Sequence, residues 1–143
     1  MKNLNMLLNQ LKYKIYKQPY KEHGIIGWIN TNESYEFISN SLHYIENSGK
    51  NFNKLTIDKK LTINLLLISK IHNIIPFIAH THIFLNDFEK ISFSNQDRRF
   101  FNSIIIFGNK IGLKEYVFIL FDGNQYVIEI VRRDKIEEIR GVF

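Results

Sequence analysis

The spacing of hydrophobic residues along the chain predicts three main helices. The first covers Met1 to Lys17, where leucine and isoleucine recur three and four residues apart. The second covers Ile57 to Asn73, and either Thr56 or Asp58 is its expected N-cap. The third extends from Ser94, its expected N-cap, to a closing glycine, Gly112.

Short apolar runs between these helices predict β-strands. Ile25 to Ile29 and Tyr35 to Ile38 flank a polar turn and are expected to form a hairpin. Ile74 to His82 is predicted as a buried strand, because the run is short, apolar and rich in isoleucine. A second hairpin is expected from Tyr116 to Phe121 and Gln125 to Val131, which flank an Asp-Gly-Asn turn.

The remaining segments are more polar. We expect an irregular surface excursion over Asn40 to Asn53, a loop over Ile83 to Phe93, and a last short helix over Asp134 to Arg140. The three isoleucines at 104–106 leave a strand as the alternative for the middle of the third helix. Helices mixed with hairpins and one central apolar strand predict an α+β (α/β-like) fold, a central mixed β-sheet flanked by helices. One domain is expected over residues 1–143.

Composition and charge narrow the class of protein. Hydrophobic residues make up 45% of the chain, which indicates a folded protein with a sizeable core. Cysteine is absent, so disulfides and thiolate metal sites are excluded. No apolar run is long enough to span a bilayer and asparagines interrupt the N-terminal leucines, so a cytoplasmic protein is expected. The net charge of +5 is compatible with nucleic acid, but the basic residues form no long block, which favours an ordinary basic surface.

Two histidines, His80 and His82, lie one residue apart at the end of the predicted central strand. Side chains two residues apart on a strand share a face, roughly 7 Å apart, and two imidazoles can then converge on one ion. Asp97 is the best-placed third ligand, at the head of the third helix. The alternative is that the histidines are half-exposed strand residues and that Ser94 and Asp97 form only a helix capping box.

The order of these features resembles the JAMM (MPN-plus, or JAB) metallopeptidase family, and its prokaryotic branch most of all. The resemblance covers about Glu22 to Ile130 and rests on three motifs: a Glu-x-Gly-x-x-Gly stretch that begins at Glu22, the His-x-His of His80 and His82, and the Ser-x-x-Asp of Ser94 and Asp97. The segment between the second and third motifs is longer than the family's usual spacing. We interpret it as a longer loop, with a degraded site as the alternative.

The resemblance implies a JAMM/cytidine-deaminase-like domain that binds Zn²⁺. His80, His82 and Asp97 would be the metal ligands, Glu22 the general base and Ser94 a helper that hydrogen-bonds the oxyanion. Three protein ligands leave a fourth position for water, which is the arrangement of a catalytic zinc site. Ser94 could instead simply cap the helix. Glu36 is the second choice as base, and otherwise an exposed hairpin residue.

The same resemblance implies hydrolysis of a peptide or isopeptide bond after the C-terminal tail of a ubiquitin-like protein or its conjugate. Other proteins of a bacterial conjugation or antiviral system would be further partners. Such tails are extended and can add to an exposed strand edge. The excursion and the loop described above would contact the substrate. The first alternative is a catalytically inactive JAB/MPN-like protein-interaction module, and a nucleic-acid-binding protein is less favoured.

Overall fold

A computed structural model describes residues 1–31, 34–45, 55–82, 90–133 and 135–143. Helices and strands are both well represented in these ranges, which confirms the α+β fold class. The helices are α1 (Leu4–Lys17), α2 (Lys59–His72) and α3 (Asn95–Lys110). The strands are β1 (Gly24–Asn30), β2 (Glu36–Phe37), β3 (His43–Ile45), β4 (Ile75–Thr81), β5 (Glu115–Phe121), β6 (Gln125–Arg132) and β7 (Lys135–Val142).

The described strands form one mixed sheet in the order β2-β1-β4-β5-β6-β7, with β3 also paired to β1. β4 and β5 are parallel, whereas the other neighbours are antiparallel. α3 lies in the connection from β4 to β5, as expected because parallel strands need a crossover rather than a tight turn. The crossover starts at the carboxyl end of β4, and the first turn of α3 lies there, with Asp97 beside His80 and His82.

Each face of the sheet has its own hydrophobic core. α1 covers one face, and α2 and α3 cover the other, because alternate strand residues point to opposite sides. The first core includes Leu7, Leu8, Leu11, Phe77 and Ile119. The second includes Leu65, Phe101, Ile104, Ile78 and Phe118. All seven residues of β4 are therefore buried, so polar side chains at its end are held in a low-dielectric setting.

The last predicted helix, Asp134 to Arg140, is wrong. Lys135–Val142 forms strand β7, which pairs antiparallel with the whole of β6. Ile136 and Ile139 have helical spacing, but pairing with a neighbouring strand satisfies the backbone groups of this segment and overrides that local signal. Asp134 itself lies outside the described residues.

Two other expectations need correction. The excursion over Asn40 to Asn53 is ordered at its start, where Ser39–Ser41 forms a short 3₁₀ turn and β3 pairs with β1. The predicted loop over Ile83 to Phe93 is not a surface segment at its end, because Phe93 is buried in the second core. Residues 46–54 and 83–89 lie outside the described residues.

The helices otherwise follow the prediction. Asp58 is the N-cap of α2, and its carboxylate accepts a hydrogen bond from the amide of Lys60 at 3.2 Å. The isoleucines at 104–106 lie inside α3, so the strand alternative for that segment is wrong. Gly112 follows α3 with a positive φ of 94°, in the left-handed region that glycine adopts without strain.

Candidate metal centre

The end of β4 brings the two histidines together. His80 is the second-last residue of β4, and His82 immediately follows the strand. Both imidazoles therefore lie on the face of the sheet that α3 covers. Their Nε2 atoms are 3.3 Å apart. His80 is buried and His82 is half-buried. The alternation of strand side chains thus produces a pair of converging ring nitrogens.

Asp97, in the first turn of α3, completes the group. Its Oδ2 atom lies 3.0 Å from Nε2 of His82 and 3.2 Å from Nε2 of His80. The same oxygen accepts a hydrogen bond from the amide of Ser94 at 2.9 Å, and the amide of Asp97 donates to Oγ of Ser94 at 3.0 Å. The capping box and the three-residue cluster therefore coexist on the same helix end.

The three atoms fit a tetrahedral metal ion. Bonds of about 2.0–2.1 Å to imidazole and carboxylate imply separations of roughly 3.3 Å between ligand atoms in a tetrahedral site. The observed triangle has sides of 3.0, 3.2 and 3.3 Å. Within the described ranges, this is the one group of three or more histidine and acidic side chains close enough to hold an ion. His80, His82 and Asp97 could hold a metal ion.

Electrostatics favour a cation at this point. Burial alone raises the pKa of the Asp97 carboxyl, but hydrogen bonds from His80 and His82 outweigh it and hold that pKa well below its usual range. Burial lowers the pKa of His82, but the hydrogen bond to Asp97 and the charges of Asp97 and Glu22 raise it overall. An ion at this point meets an ionised carboxylate and competes with protons for the nitrogen of His82.

Glu22 lies beside this group. It lies two residues before β1, whose first residue, Gly24, is paired with His80 on β4. The carboxylate accepts a hydrogen bond from the amide of Leu55 at 3.0 Å, and its charge contributes to the raised pKa of His82. The start of β1 and the end of β4 lie side by side, so Glu22 is at the same end of these strands as the predicted ligands.

Glu36 does not belong to the site. It lies on β2 and pairs with Asn30, at the opposite end of β1 from Gly24. Its carboxylate lies 4.0 Å from the ammonium of Lys2 and accepts a hydrogen bond from the Asn3 amide. The second choice as base is thus placed away from the histidines.

Ser94 takes the first of its two predicted roles, that of a helix cap. It is the N-cap of α3, and its hydroxyl accepts a hydrogen bond from the amide of Asp97. A hydroxyl group that accepts one hydrogen bond can still donate its own proton. The cap therefore does not prevent Ser94 from donating to a ligand at the cluster.

A cleft of ≈150 Å³ opens beside the cluster. Its walls include His80 and Asp97, and most of its remaining lining is apolar, with Ile57, Ile78, Phe100 and Phe101. A ligand in this cleft meets two of the three candidate metal ligands directly. The site therefore combines a polar end with an apolar wall, which is usual for small binding sites.

Two residues behind the cluster escaped the sequence interpretation. Arg98, next to Asp97, forms a bidentate ion pair with Glu129 on β6, with N–O distances of 2.5 and 2.6 Å. Glu129 is buried, and its carboxylate interrupts the otherwise apolar Ile128-Glu129-Ile130. This acidic residue in an apolar strand was the sequence signal for the ion pair, because a buried carboxylate in a strand needs a cationic partner.

Comparison with known proteins does not place the chain in a family. No protein-family model matches it, and no curated protein matches its sequence. Among the described residues, no helix has the length and apolar character needed to cross a membrane.

Proposed function

We propose that this protein is a JAMM-type zinc metallopeptidase that cleaves a peptide or isopeptide bond after the C-terminal tail of a ubiquitin-like protein or its conjugate. The observation that carries the proposal is the triangle of His80, His82 and Asp97 ligand atoms with Glu22 beside it. Two imidazoles and one carboxylate, without cysteine, are a ligand set that suits zinc, and three protein ligands leave a position for substrate or water.

His80, His82 and Asp97 would hold the zinc, which would supply Lewis acidity to activate water near neutral pH. Glu22 accepts the proton of the attacking water and returns it to the leaving amine. The hydrogen bond from the Leu55 amide holds the direction of the Glu22 carboxylate. Ser94 donates its hydroxyl proton to the oxyanion of the tetrahedral intermediate.

The edge strand β3 offers a docking place for an extended tail. Within the described ranges it pairs with β1 alone, and the pairing of Gly24 with both Ile45 and His80 sets it at the end of the sheet where the histidines lie. Main-chain hydrogen bonds to a strand at this end of the sheet would hold such a tail near the cluster. This placement supports an extended peptide as substrate.

The first test is hydrolysis of a ubiquitin-like protein with a fluorogenic or isopeptide-linked C-terminus. Wild-type protein is expected to cleave it, to stop after metal removal and to recover when Zn²⁺ is added back. Glu22→Gln should retain zinc and lose about 10²–10⁴-fold in kcat, because glutamine cannot accept and return a proton. Glu36→Gln is the matched control and should cleave at the wild-type rate.

Two outcomes oppose the proposal. Cleavage by Glu22→Gln at the wild-type rate removes Glu22 from the mechanism, and cleavage that survives complete metal removal removes zinc. Zinc binding without cleavage of any substrate in a panel of ubiquitin-like fusions instead supports the interaction-module alternative.

A further inference from the structure

The net charge of the chain is concentrated in its first 21 residues. This stretch contains five lysines and no aspartate or glutamate. The whole chain has 19 basic and 14 acidic residues, so the rest of the sequence holds 14 of each and is neutral. The electrostatic attraction of a negatively charged partner is therefore concentrated on this segment rather than spread over the whole surface.

Three tyrosines are exposed within the same segment. The solvent-exposed fractions are 57% for Tyr13, 79% for Tyr16 and 59% for Tyr20. Tyr13 and Tyr16 are three residues apart and lie on the side of α1 opposite the buried leucines Leu8 and Leu11. We call the exposed side chains of this segment the tyrosine–lysine surface; it consists of Lys12, Tyr13, Tyr16, Lys17 and Tyr20.

The cations of this surface lie close to ring faces. The ammonium of Lys17 is 5.5 Å from the ring centroid of Tyr13 and 6.0 Å from that of Tyr16. The ammonium of Lys12 lies 5.3 Å from the ring centroid of Phe143, and that of Lys14 lies 4.0 Å from the ring centroid of Tyr44, both outside this surface. On the surface itself, the charge of Lys17 thus lies between two exposed aromatic rings.

Helix stability explains only part of this composition. Lys14 and Lys17 lie in the last turn of α1, where cations interact favourably with the helix dipole. That effect needs no tyrosine, and each exposed ring adds apolar area that water disfavours. The rings therefore point to a ligand that covers them.

We propose that the tyrosine–lysine surface binds single-stranded nucleic acid. Lysines contact the phosphates, and the exposed rings of Tyr13, Tyr16 and Tyr20 stack on unpaired bases, which is the recognition mode of sequence-tolerant single-strand binders. The segment from Tyr13 to Lys17 rises about 6 Å along the helix, and Tyr20 extends the surface further. At about 3.4 Å per stacked nucleotide, it accommodates roughly three nucleotides.

Other anionic partners match the surface less well. An acidic protein would pair with the lysines and leave three ring faces without a flat partner. A duplex keeps its bases stacked inside and offers the rings nothing to stack on. An anionic bilayer attracts lysine and tyrosine at its interface, but a helix that lies in it also inserts an apolar face, and Leu7, Leu8 and Leu11 of α1 are fully buried in the protein's own core. Because α1 covers the sheet face opposite α3, this inference does not depend on zinc chemistry.

The test is fluorescence anisotropy with labelled dT20 at 50 and 200 mM salt. Wild-type protein is expected to bind dT20 at least tenfold more tightly than a 20-base-pair duplex or polyglutamate, and to weaken as salt rises. Lys12→Gln with Lys17→Gln should weaken binding and reduce the slope of log K against log salt by about 1.4, since each single-strand phosphate contact contributes about 0.7. Lys59→Gln with Lys60→Gln, which removes two exposed lysines of α2, is the matched control and should bind normally.

A second pair of variants tests stacking. Tyr13→Ala with Tyr16→Ala should weaken dT20 binding about tenfold or more without changing the salt slope, and Tyr13→Phe with Tyr16→Phe should bind like wild type. Several outcomes overturn the proposal. They are equal affinity for dT20 and polyglutamate, no effect of the alanine pair, and equal losses in the α1 and α2 lysine pairs.

Discussion

At the scale of single residues, Asp97 uses one oxygen atom for two purposes. Its Oδ2 accepts the hydrogen bond of the Ser94 amide and also faces both histidine nitrogens. The sequence predicted a capping box and a metal ligand as alternatives, since spacing alone cannot say where a helix end points. The fold makes them compatible, and the cap fixes the carboxylate before an ion binds, which lowers the entropy lost on binding.

Ser94→Ala separates the cap from the proposed chemistry. Loss of the N-cap hydroxyl should lower the free energy of unfolding by about 1 kcal/mol. The variant should also lower kcat by about 10²–10³-fold, the usual loss when one oxyanion donor is removed. Asp58→Ala, which removes the N-cap of α2, should lose similar stability and keep its kcat. Unchanged kcat in Ser94→Ala would leave Ser94 as a cap only.

The buried side chain of His23 predicts that the stability of the fold depends on pH. It is fully buried; its Nε2–H donates to the carbonyl of Gln18 at 2.9 Å, so Nδ1 accepts from the Tyr44 hydroxyl at 2.8 Å. Burial lowers the pKa of His23 below 6.5, and the charges of Lys14 and Lys21 lower it further against the raising effect of the Gln18 hydrogen bond. The native state therefore holds the neutral ring.

Because the unfolded chain takes up this proton first, the stability from neutral His23 is complete above about pH 6.5 and is lost as pH falls towards the lowered native pKa. Urea unfolding of wild type and His23→Gln from pH 8 to pH 5 measures this effect. The stability advantage of wild type over the variant should shrink as the solution becomes more acidic. A difference that is constant across the range would contradict a neutral buried His23.

At the scale of elements, α3 is anchored to the sheet directly behind its first turn, which carries Asp97. The Arg98–Glu129 ion pair joins α3 to β6, and the Phe93 ring packs on His80 and Phe101 with centroid distances of 6.0 and 5.1 Å. These contacts fix where Asp97 lies relative to the end of β4. Sequence periodicity predicts that α3 exists, but it does not predict which strand receives Arg98.

Glu129→Gln tests this anchor. An amide keeps the shape of the side chain and removes the charge that orients Arg98, so the position of Asp97 should loosen. Zinc affinity, measured by competition with a chromogenic chelator, should fall about 10–100-fold, the usual cost of changing a group that orients a ligand. Glu137→Gln, which removes an exposed partner of Arg132, is the control and should bind zinc normally. Equal zinc affinity in both variants would show that the Arg98–Glu129 ion pair does not position Asp97.

The errors in predicting elements share one physical cause. β7 and β3 are strands because β6 and β1 offer them unpaired edges, which is information from distant parts of the chain. The charged side chains of β7, such as Lys135 and Glu138, suit an exposed edge strand but also resemble a solvated helix. α1, α2 and β4 carry their own periodicity or apolar character, so local patterns sufficed for them.

At the scale of the whole molecule, the sheet order places the candidate site. β4 and β5 are parallel, so the chain leaves the carboxyl end of β4, begins α3 at that end of the sheet and returns through α3 to the start of β5. Open sheets with helical crossovers bind their ligands at the carboxyl ends of such strands. β1 is antiparallel to β4, so Glu22, two residues before β1, lies at the same end of the sheet. The motifs indicated these residues separately, and the topology explains how they meet.

The central claim is that one zinc ion is held by His80, His82 and Asp97, and zinc content tests it most directly. Elemental analysis of untagged protein purified without chelator should find one zinc per chain. His80→Ala with His82→Ala should contain none, and the exposed histidines in His43→Ala with His72→Ala are the matched control, which should keep the full zinc content. Wild-type protein without zinc, or a His80–His82 double variant that keeps it, would contradict the account.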